Sequence, residues 1–259
     1  MDMKISGAGV LGGGEYEEVK ISGSAKIEGS IRCRSFTCHG ATKGEGDLSC
    51  REDFCSSGST HVDGAIRADS AIVSGSLHCG ALHGEKAVRI SGSAGIDGRL
   101  SGGEIKVSGR LKVDDGVEAE SFQYADGSIG PHSSGSLDCE GLLNAETVRI
   151  HVGMQRHRVG AIGGGSVRVE GRLEDRPDRE RVSFGPFGAF NLWNKHPVGG
   201  SLAVTESIEA DEIELVNTLC PLVSGRKVVI GPGCRIDVVR YSESIEVDPE
   251  AQVGRQEKT

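Results

Sequence analysis

The sequence predicts an all-β fold, a parallel β-helix (β-solenoid) built from triangular coils of roughly 17 residues each. Two nearly identical stretches, KISGSAKIEGSI (20–31) and RISGSAGIDGRL (89–100), begin about four such coils apart. The chain includes 40 Gly but only 6 Phe, 3 Tyr and 1 Trp, so the core is expected to be aliphatic. Spaced glycines with a fixed period are typical of solenoids.

The repeat is marked by a glycine that recurs once per coil and usually follows a serine. These marker glycines are Gly23, Gly40, Gly58, Gly75, Gly92 and Gly109. The positions four and two before and four and eight after each marker are apolar, with the exceptions of Gly44, Ser56 and His83. The overall apolar content of 36% would give far fewer apolar residues there, so each coil is interpreted as three alternating strands joined by corners.

Apolar residues that share a phase are expected to point inward and to stack in ladders along the solenoid axis. The predicted core ladder residues are Ile21, Ile27, Ile31, Ile90, Ile96 and Leu100. Corner glycines, which need a positive φ or a close backbone approach, are expected at Gly29, Gly46, Gly64 and Gly98. Cys33 and Cys50 also share a phase, and we expect them to pack as neighbouring thiols rather than as a disulfide.

The repeat continues less regularly beyond residue 117. SGSLHCGALHGEKAVRI (74–90) returns as SGSLDCEGLLNAETVRI (134–150). The distance along the sequence between these two stretches is not a whole number of coils, which requires an insertion near DGSIGPHSS (126–134). IGPGCRI (230–236) and VDPEAQV (247–253) begin one coil length apart, which indicates that regular coils resume.

These patterns divide the chain into five predicted segments. Residues 1–14 are expected to form a flexible N-terminal tail, and residues 15–172 the main β-helix. Residues 173–199 are interpreted as a charged and aromatic insertion or linker. Residues 200–254 are expected to form a C-terminal β-helical segment, followed by a tail at 255–259.

The segment 173–199 is irregular because it joins a charged run to an aromatic cluster. The cluster consists of Phe184, Phe187, Phe190 and Trp193, which recur at every third position. No solenoid coil needs such a cluster. Two interpretations stay open: the rings cap or cover part of the solenoid, or they form a docking site for a partner protein.

Composition and charge limit the classes of function. A net charge of −9 argues against nucleic acid as a partner, because a duplex binder needs a basic face. No apolar run reaches about 18 residues and no signal peptide pattern opens the chain, so a cytoplasmic location is expected. The eight cysteines and eight histidines show no zinc-ligand spacing, and we expect no metal, no cofactor and no catalytic residue.

One enzymatic alternative stays open. Acyltransferases with hexapeptide repeats also use circuits of similar length, and IGPGCRI (230–236) is similar to a hexapeptide phrase. Such enzymes need a histidine base beside a cofactor cleft. His83 falls in an inward phase of the repeat and is predicted to be a packed ladder residue instead.

Several stretches of the repeat carry a resemblance to a known family. VKISGSAKIEGSI, VSGSLHCGAL, VRISGSAGIDGRL and the opening GGGEYEEVKISGSAKIEG resemble the bactofilins, bacterial polymer-forming cytoskeletal proteins. The resemblance is closest to the longer members found in Bacillus-like bacteria, and it covers residues 15–125 and 200–254. It implies a right-handed β-helix that polymerises through its ends without nucleotide and acts as a scaffold in cell shape, localisation or motility.

Two hypotheses of function follow. In the first, the partner is another copy of the chain, bound through open strand edges, and the candidate end residues are Val19, Ile21, Val247 and Val253. In the second, the solenoid is a soluble rigid adaptor whose 184–193 aromatics bind a motility or envelope protein. The resemblance leaves a position near the membrane open.

Overall fold

The computed structural model describes residues 1–125, 135–175 and 195–259, of which 172–175 and 195–198 are described by their backbone alone. The described residues form β-strands and no helix. Strands of successive coils pair in parallel, with a spacing of ~17 residues between partners in the sequence. The predicted fold class, an all-β parallel solenoid, is confirmed. No described helix could cross a membrane.

The chain divides into two compact units, residues 1–123 with 138–141 and residues 124–137 with 142–259. The strands of the first unit are β1 (Met3–Ile5), β2 (Ala8–Glu15), β3 (Glu18–Ile21), β4 (Ser24–Cys33), β5 (Ser35–Cys38), β6 (Ala41–Glu45), β7 (Leu48–Cys50), β8 (Asp53–Ser56), β9 (Ser59–Val73), β10 (Ser76–Ile90), β11 (Ser93–Ile96), β12 (Arg99–Val107), β13 (Arg110–Val113) and most of β14 (Gly116–Ala125). Those mainly of the second unit are β15 (Leu137–Val152), β16 (Arg156–Asp175), β17 (Lys195–Val198), β18 (Ser201–Val204), β19 (Ser207–Leu215), β20 (Thr218–Ile230), β21 (Arg235–Val247) and β22 (Gln252–Lys258).

The register of the first unit follows the repeat that the sequence predicts. Residues 76–79 pair with 59–62 on one side and with 93–96 on the other. Because every coil repeats the same phase, apolar side chains stack inside and polar ones outside. The six predicted core residues, namely Ile21, Ile27, Ile31, Ile90, Ile96 and Leu100, are all 3% exposed or less.

The marker glycines are required because successive corners approach closely. A Cβ atom at Gly75 would overlap the carbonyl oxygen of Gly58, the previous marker, and the same overlap recurs at the markers on either side. Of the four predicted corner glycines, Gly29 and Gly46 have φ of +90° and +110°. Gly64 and Gly98 instead lie against the backbone of the preceding corner, which also excludes a side chain.

Both predicted tails are wrong, because each is a paired strand. Residues 3–5 pair with 19–21, and residues 8–15 pair with 24–32. At the other end β22 pairs with β21, and the Thr259 N–H donates to the Tyr241 carbonyl over 2.9 Å. The N-terminal stretch KISGAGVL (4–11) contains the marker Gly7 and the apolar phases of the repeat, so the sequence carried a signal for this coil.

Strands on both sides of the segment 173–199 belong to the second unit, which fits an insertion and not a linker between a main β-helix ending at residue 172 and a separate C-terminal segment. Residues 156–159 pair with 201–204, and residues 162–168 pair with 208–214, all in parallel. Where the segment leaves and returns, residues 172–175 pair antiparallel with 195–198. The aromatic cluster Phe184, Phe187, Phe190 and Trp193 lies outside the described residues, as does 126–134.

Candidate functional site

The candidate site consists of two open strand edges. We define the N-terminal edge as β1 and β2, and the C-terminal edge as residues 244–247 together with β22. In the described registers β1 pairs with β3 alone and β2 with β4 alone. Residues 244–247 pair with 227–230 alone, and β22 with β21 alone. Each edge therefore presents a row of backbone groups that no described strand satisfies.

At the N-terminal edge, hydrogen bonds show which backbone groups face outward. The Ile5 carbonyl accepts the Ser22 N–H over 2.8 Å, so the backbone groups of Ile5 face β3. The direction alternates along a strand, and the N–H and carbonyl of Lys4 consequently face the open side. Met3 and Ile5 are half-buried, so the edge lies over apolar side chains.

The C-terminal edge has the same construction. The N–H groups of Asp248 and Gln252 donate to the Ile230 and Cys234 carbonyls, each over 2.8 Å. By the same alternation the backbone groups of Val247 face the open side. Ile245, Val247 and Val253 are half-buried, which leaves an apolar surface at this end of the second unit.

The four predicted end residues are only partly placed at these edges. Val247 and Val253 lie on the C-terminal edge. The prediction for Val19 and Ile21 is wrong: both are fully buried, and Met3 and Ile5 pair with them. Because residues 1–14 were expected to be a tail, the true edge was missed, although Gly7 repeats the marker one coil earlier.

Histidine side chains lie on the outer faces of the first unit. The rings of His61 and His78 stack with centroids 4.8 Å apart. Their Nε2 atoms lie 2.9 and 3.3 Å from carboxylate oxygens of Asp63 and Asp97, respectively. In the part of the chain that the structure describes, no three His, Cys, Asp or Glu side chains are grouped so that they could hold a metal ion.

The predicted inward orientation of His83 is wrong. His83 is exposed, and its Nδ1 lies 2.8 Å from Ser101 Oγ. Leu82 points inward instead: it pairs with Ile66 and Leu100, and all three side chains are fully buried. The register shifts by one residue between Cys79 and Ala81, so counting from the marker glycine selects the wrong neighbour in this coil.

All eight cysteines are free thiols. Burial raises the pKa of Cys79 and Cys234 to about 12, and that of Cys139 and Cys220 to about 11. These four are protonated at neutral pH and are therefore poor nucleophiles. Cys33 and Cys50 are ladder neighbours, as predicted, with their Sγ atoms 3.6 Å apart.

The chain is similar to two proteins of Bacillus subtilis (strain 168). It is 30% identical over 118 residues to the uncharacterized protein YhbF, a match that covers 46% of this chain and 42% of YhbF. It is 52% identical over 48 residues to the uncharacterized protein YhbE, which covers 18% of this chain and 20% of YhbE. The chain thus spans less than half the length of these curated relatives. No protein-family model and no solved structure matches the chain.

Proposed function

We propose that this protein is a non-enzymatic scaffold subunit of the bactofilin type, which assembles with copies of itself through the open strand edges of its solenoid. The observation that carries the proposal is the pair of edges, each with backbone groups that no described strand satisfies and with half-buried apolar side chains. Such edges are templates for strand addition. The proposed setting is the cytoplasm, and the proposed roles are support of cell shape, localisation or motility.

The two edges carry apolar residues at the same phases of the repeat. Met3, Ile5 and Leu11 lie four and two before and four after Gly7. Ile245, Val247 and Val253 have the same spacing around Pro249. A second copy can therefore continue both the hydrogen bonds and the apolar ladders of an edge. Strand addition of this kind needs no nucleotide, since burial and hydrogen bonding drive it.

Substitutions at the edges are expected to block assembly while preserving the fold. Lys4→Pro removes an outward N–H that no described strand uses, and proline is tolerated on edge strands. Val247→Lys places a charge on the apolar end of the C-terminal edge. Negative-stain microscopy and light scattering should show filaments for the wild-type chain and dispersed particles for both variants, with unchanged thermal unfolding midpoints.

Two matched control variants distinguish a specific effect on the strand edges from a general effect of changing the charge. Lys4→Gln removes the same charge but keeps the N–H, and Glu246→Lys adds a lysine at an exposed position of the same strand; both should still assemble. If the wild-type chain forms only discrete rods, the proposal fails and the adaptor hypothesis replaces it. Filaments that persist in Lys4→Pro and Val247→Lys would exclude the edges as the contact.

Ile21→Pro is expected to behave differently from Lys4→Pro. The Ile21 carbonyl accepts the His39 N–H over 2.8 Å, so its backbone groups face the next coil inside the stack. Proline there removes a ladder hydrogen bond and should cost about 3 kcal/mol of unfolding free energy. Circular dichroism during urea denaturation measures this loss. A midpoint equal to that of the wild type would mean that this coil is not inside the stack.

A further inference from the structure

Two thiols face each other in the first unit. Cys33, at the end of β4, pairs directly with Cys50, at the end of β7, and their Sγ atoms lie 3.6 Å apart. The two side chains share the interior at a corner, with residue exposures of 3% and 8%. No ordinary feature of a solenoid ladder requires sulfur at both positions.

The backbone geometry of this pair is compatible with a covalent bond. Paired parallel strands lie about 4.8 Å apart, and the Cα atoms of disulfides are usually about 4.4–6.8 Å apart. The sulfur atoms need to approach to about 2.05 Å, which side-chain rotation and a small corner shift can supply. Continued by one residue, the β7–β9 register places the small Ala68 beyond Cys50, so the column offers room for this rotation.

Cys79 and Cys38 lie beside residues other than cysteine. Cys79 pairs with Val62 and Ile96, and the Sγ of Cys38 lies 3.1 Å from Thr42 Oγ1. In the described registers, Cys33 and Cys50 form the one directly paired set of cysteines. Direct pairing holds the two thiols together in the native state, so a bond between them needs no unfolding.

We propose that Cys33 and Cys50 form a redox modification site, which a peroxide converts into an intramolecular disulfide between two adjacent coils. The Cys33 thiolate attacks one oxygen of hydrogen peroxide, the O–O bond breaks, and hydroxide leaves with the formation of a Cys33 sulfenic acid. The Cys50 sulfur then attacks the Cys33 sulfur, the S–O bond breaks and water leaves. In sum, two thiols and one peroxide give one disulfide and two waters.

The order of these steps follows from the contact between the thiols. A Cys33 thiolate accepts a hydrogen bond from the Cys50 thiol, and this contact lowers the pKa of Cys33 from its ordinary value. The same contact raises the pKa of Cys50, as does burial. Cys33 is therefore the thiolate that reacts first, and Cys50 resolves the intermediate.

The bond would link the second and third coils, next to the coil that carries the N-terminal edge. Solenoids open coil by coil from their ends, because each coil contacts only its neighbours. A cross-link between Cys33 and Cys50 closes a loop of one coil and restricts that opening. The oxidised chain should therefore resist unfolding of its first coils more than the reduced chain does.

The test treats the full-length chain with hydrogen peroxide and then counts thiols under denaturing conditions. We expect the number of thiols to fall from eight to six, the mass to fall by about 2 Da, and dithiothreitol to reverse both changes. Trypsin without reductant should release residues 33–34 joined to residues 44–51, because cleavage follows Arg32, Arg34, Lys43 and Arg51. Limited proteolysis of the N-terminal coils should slow after oxidation.

Two alanine variants decide between this pair and unspecific oxidation. Cys33→Ala should retain all seven remaining thiols under the same treatment, whereas Cys79→Ala should still lose two. Both variants should unfold cooperatively before treatment, which circular dichroism verifies. Retention of all eight thiols in the wild-type chain, a cross-link that maps elsewhere, or equal loss in both variants would overturn the proposal.

Discussion

Ile96→Asp is expected to lower the free energy of unfolding by about 3–5 kcal/mol. Ile96 is 1% exposed and stands in a ladder between Cys79 and Val113. A carboxylate there would be buried among apolar side chains without a cationic partner, and it must either remain charged at high cost or take up a proton. Urea denaturation followed by circular dichroism measures the loss.

Arg110→Asp provides the control, because Arg110 is exposed on the neighbouring coil. It introduces the same side chain on the outer face, and its effect should stay within about 0.5 kcal/mol. Equal denaturation midpoints for Ile96→Asp and the wild type would mean that the inward phase of the repeat is assigned incorrectly.

The destabilisation of Ile96→Asp should decrease at acid pH, since protonation removes the buried charge.

Gly75→Ala is expected to destabilise the fold by at least about 2 kcal/mol, although it adds a single methyl group. A Cβ atom at this position would overlap the Gly58 carbonyl oxygen and lie 2.6 Å from the Ser57 carbonyl oxygen. Both obstacles are backbone atoms of the preceding coil, so only separation of the coils can relieve the clash. This separation breaks ladder hydrogen bonds on both sides of the corner.

The same substitution at Gly7 tests the physical reason. Gly7 has the marker phase in the first coil, and nothing lies within 4 Å of a Cβ atom built there. Gly7→Ala should leave the unfolding free energy unchanged or raise it by up to about 1 kcal/mol, because alanine restricts the unfolded chain. If thermal denaturation shows equal losses of stability for Gly75→Ala and Gly7→Ala, the close approach of successive coils is not the reason for glycine at the marker positions.

Much of the regular fold could be predicted because a solenoid repeats one local pattern. The phase of Ile21 and Ile96, the stacking of Cys33 on Cys50 and the pairing of Ile230 with Val247 all follow from the spacing of apolar residues around the marker. His83 was misassigned because the register shift between Cys79 and Ala81 is not visible in the spacing of marker glycines. The N-terminal edge was missed because its coil is rich in glycine, which also suits a flexible tail.

Periodicity within each coil was enough to predict the fold class, the coil length and the inward phase of the regular coils. The positions of the open strand edges, and the coils that pair across an interruption, are known only from the three-dimensional structure. The pairing of residues 156–168 with 201–214, on opposite sides of the segment 173–199, has no counterpart in the local pattern. These partners are selected by backbone hydrogen bonds between strands that are distant in the sequence. Every coil of suitable phase has the same local pattern, so the pattern does not show which coil is the partner.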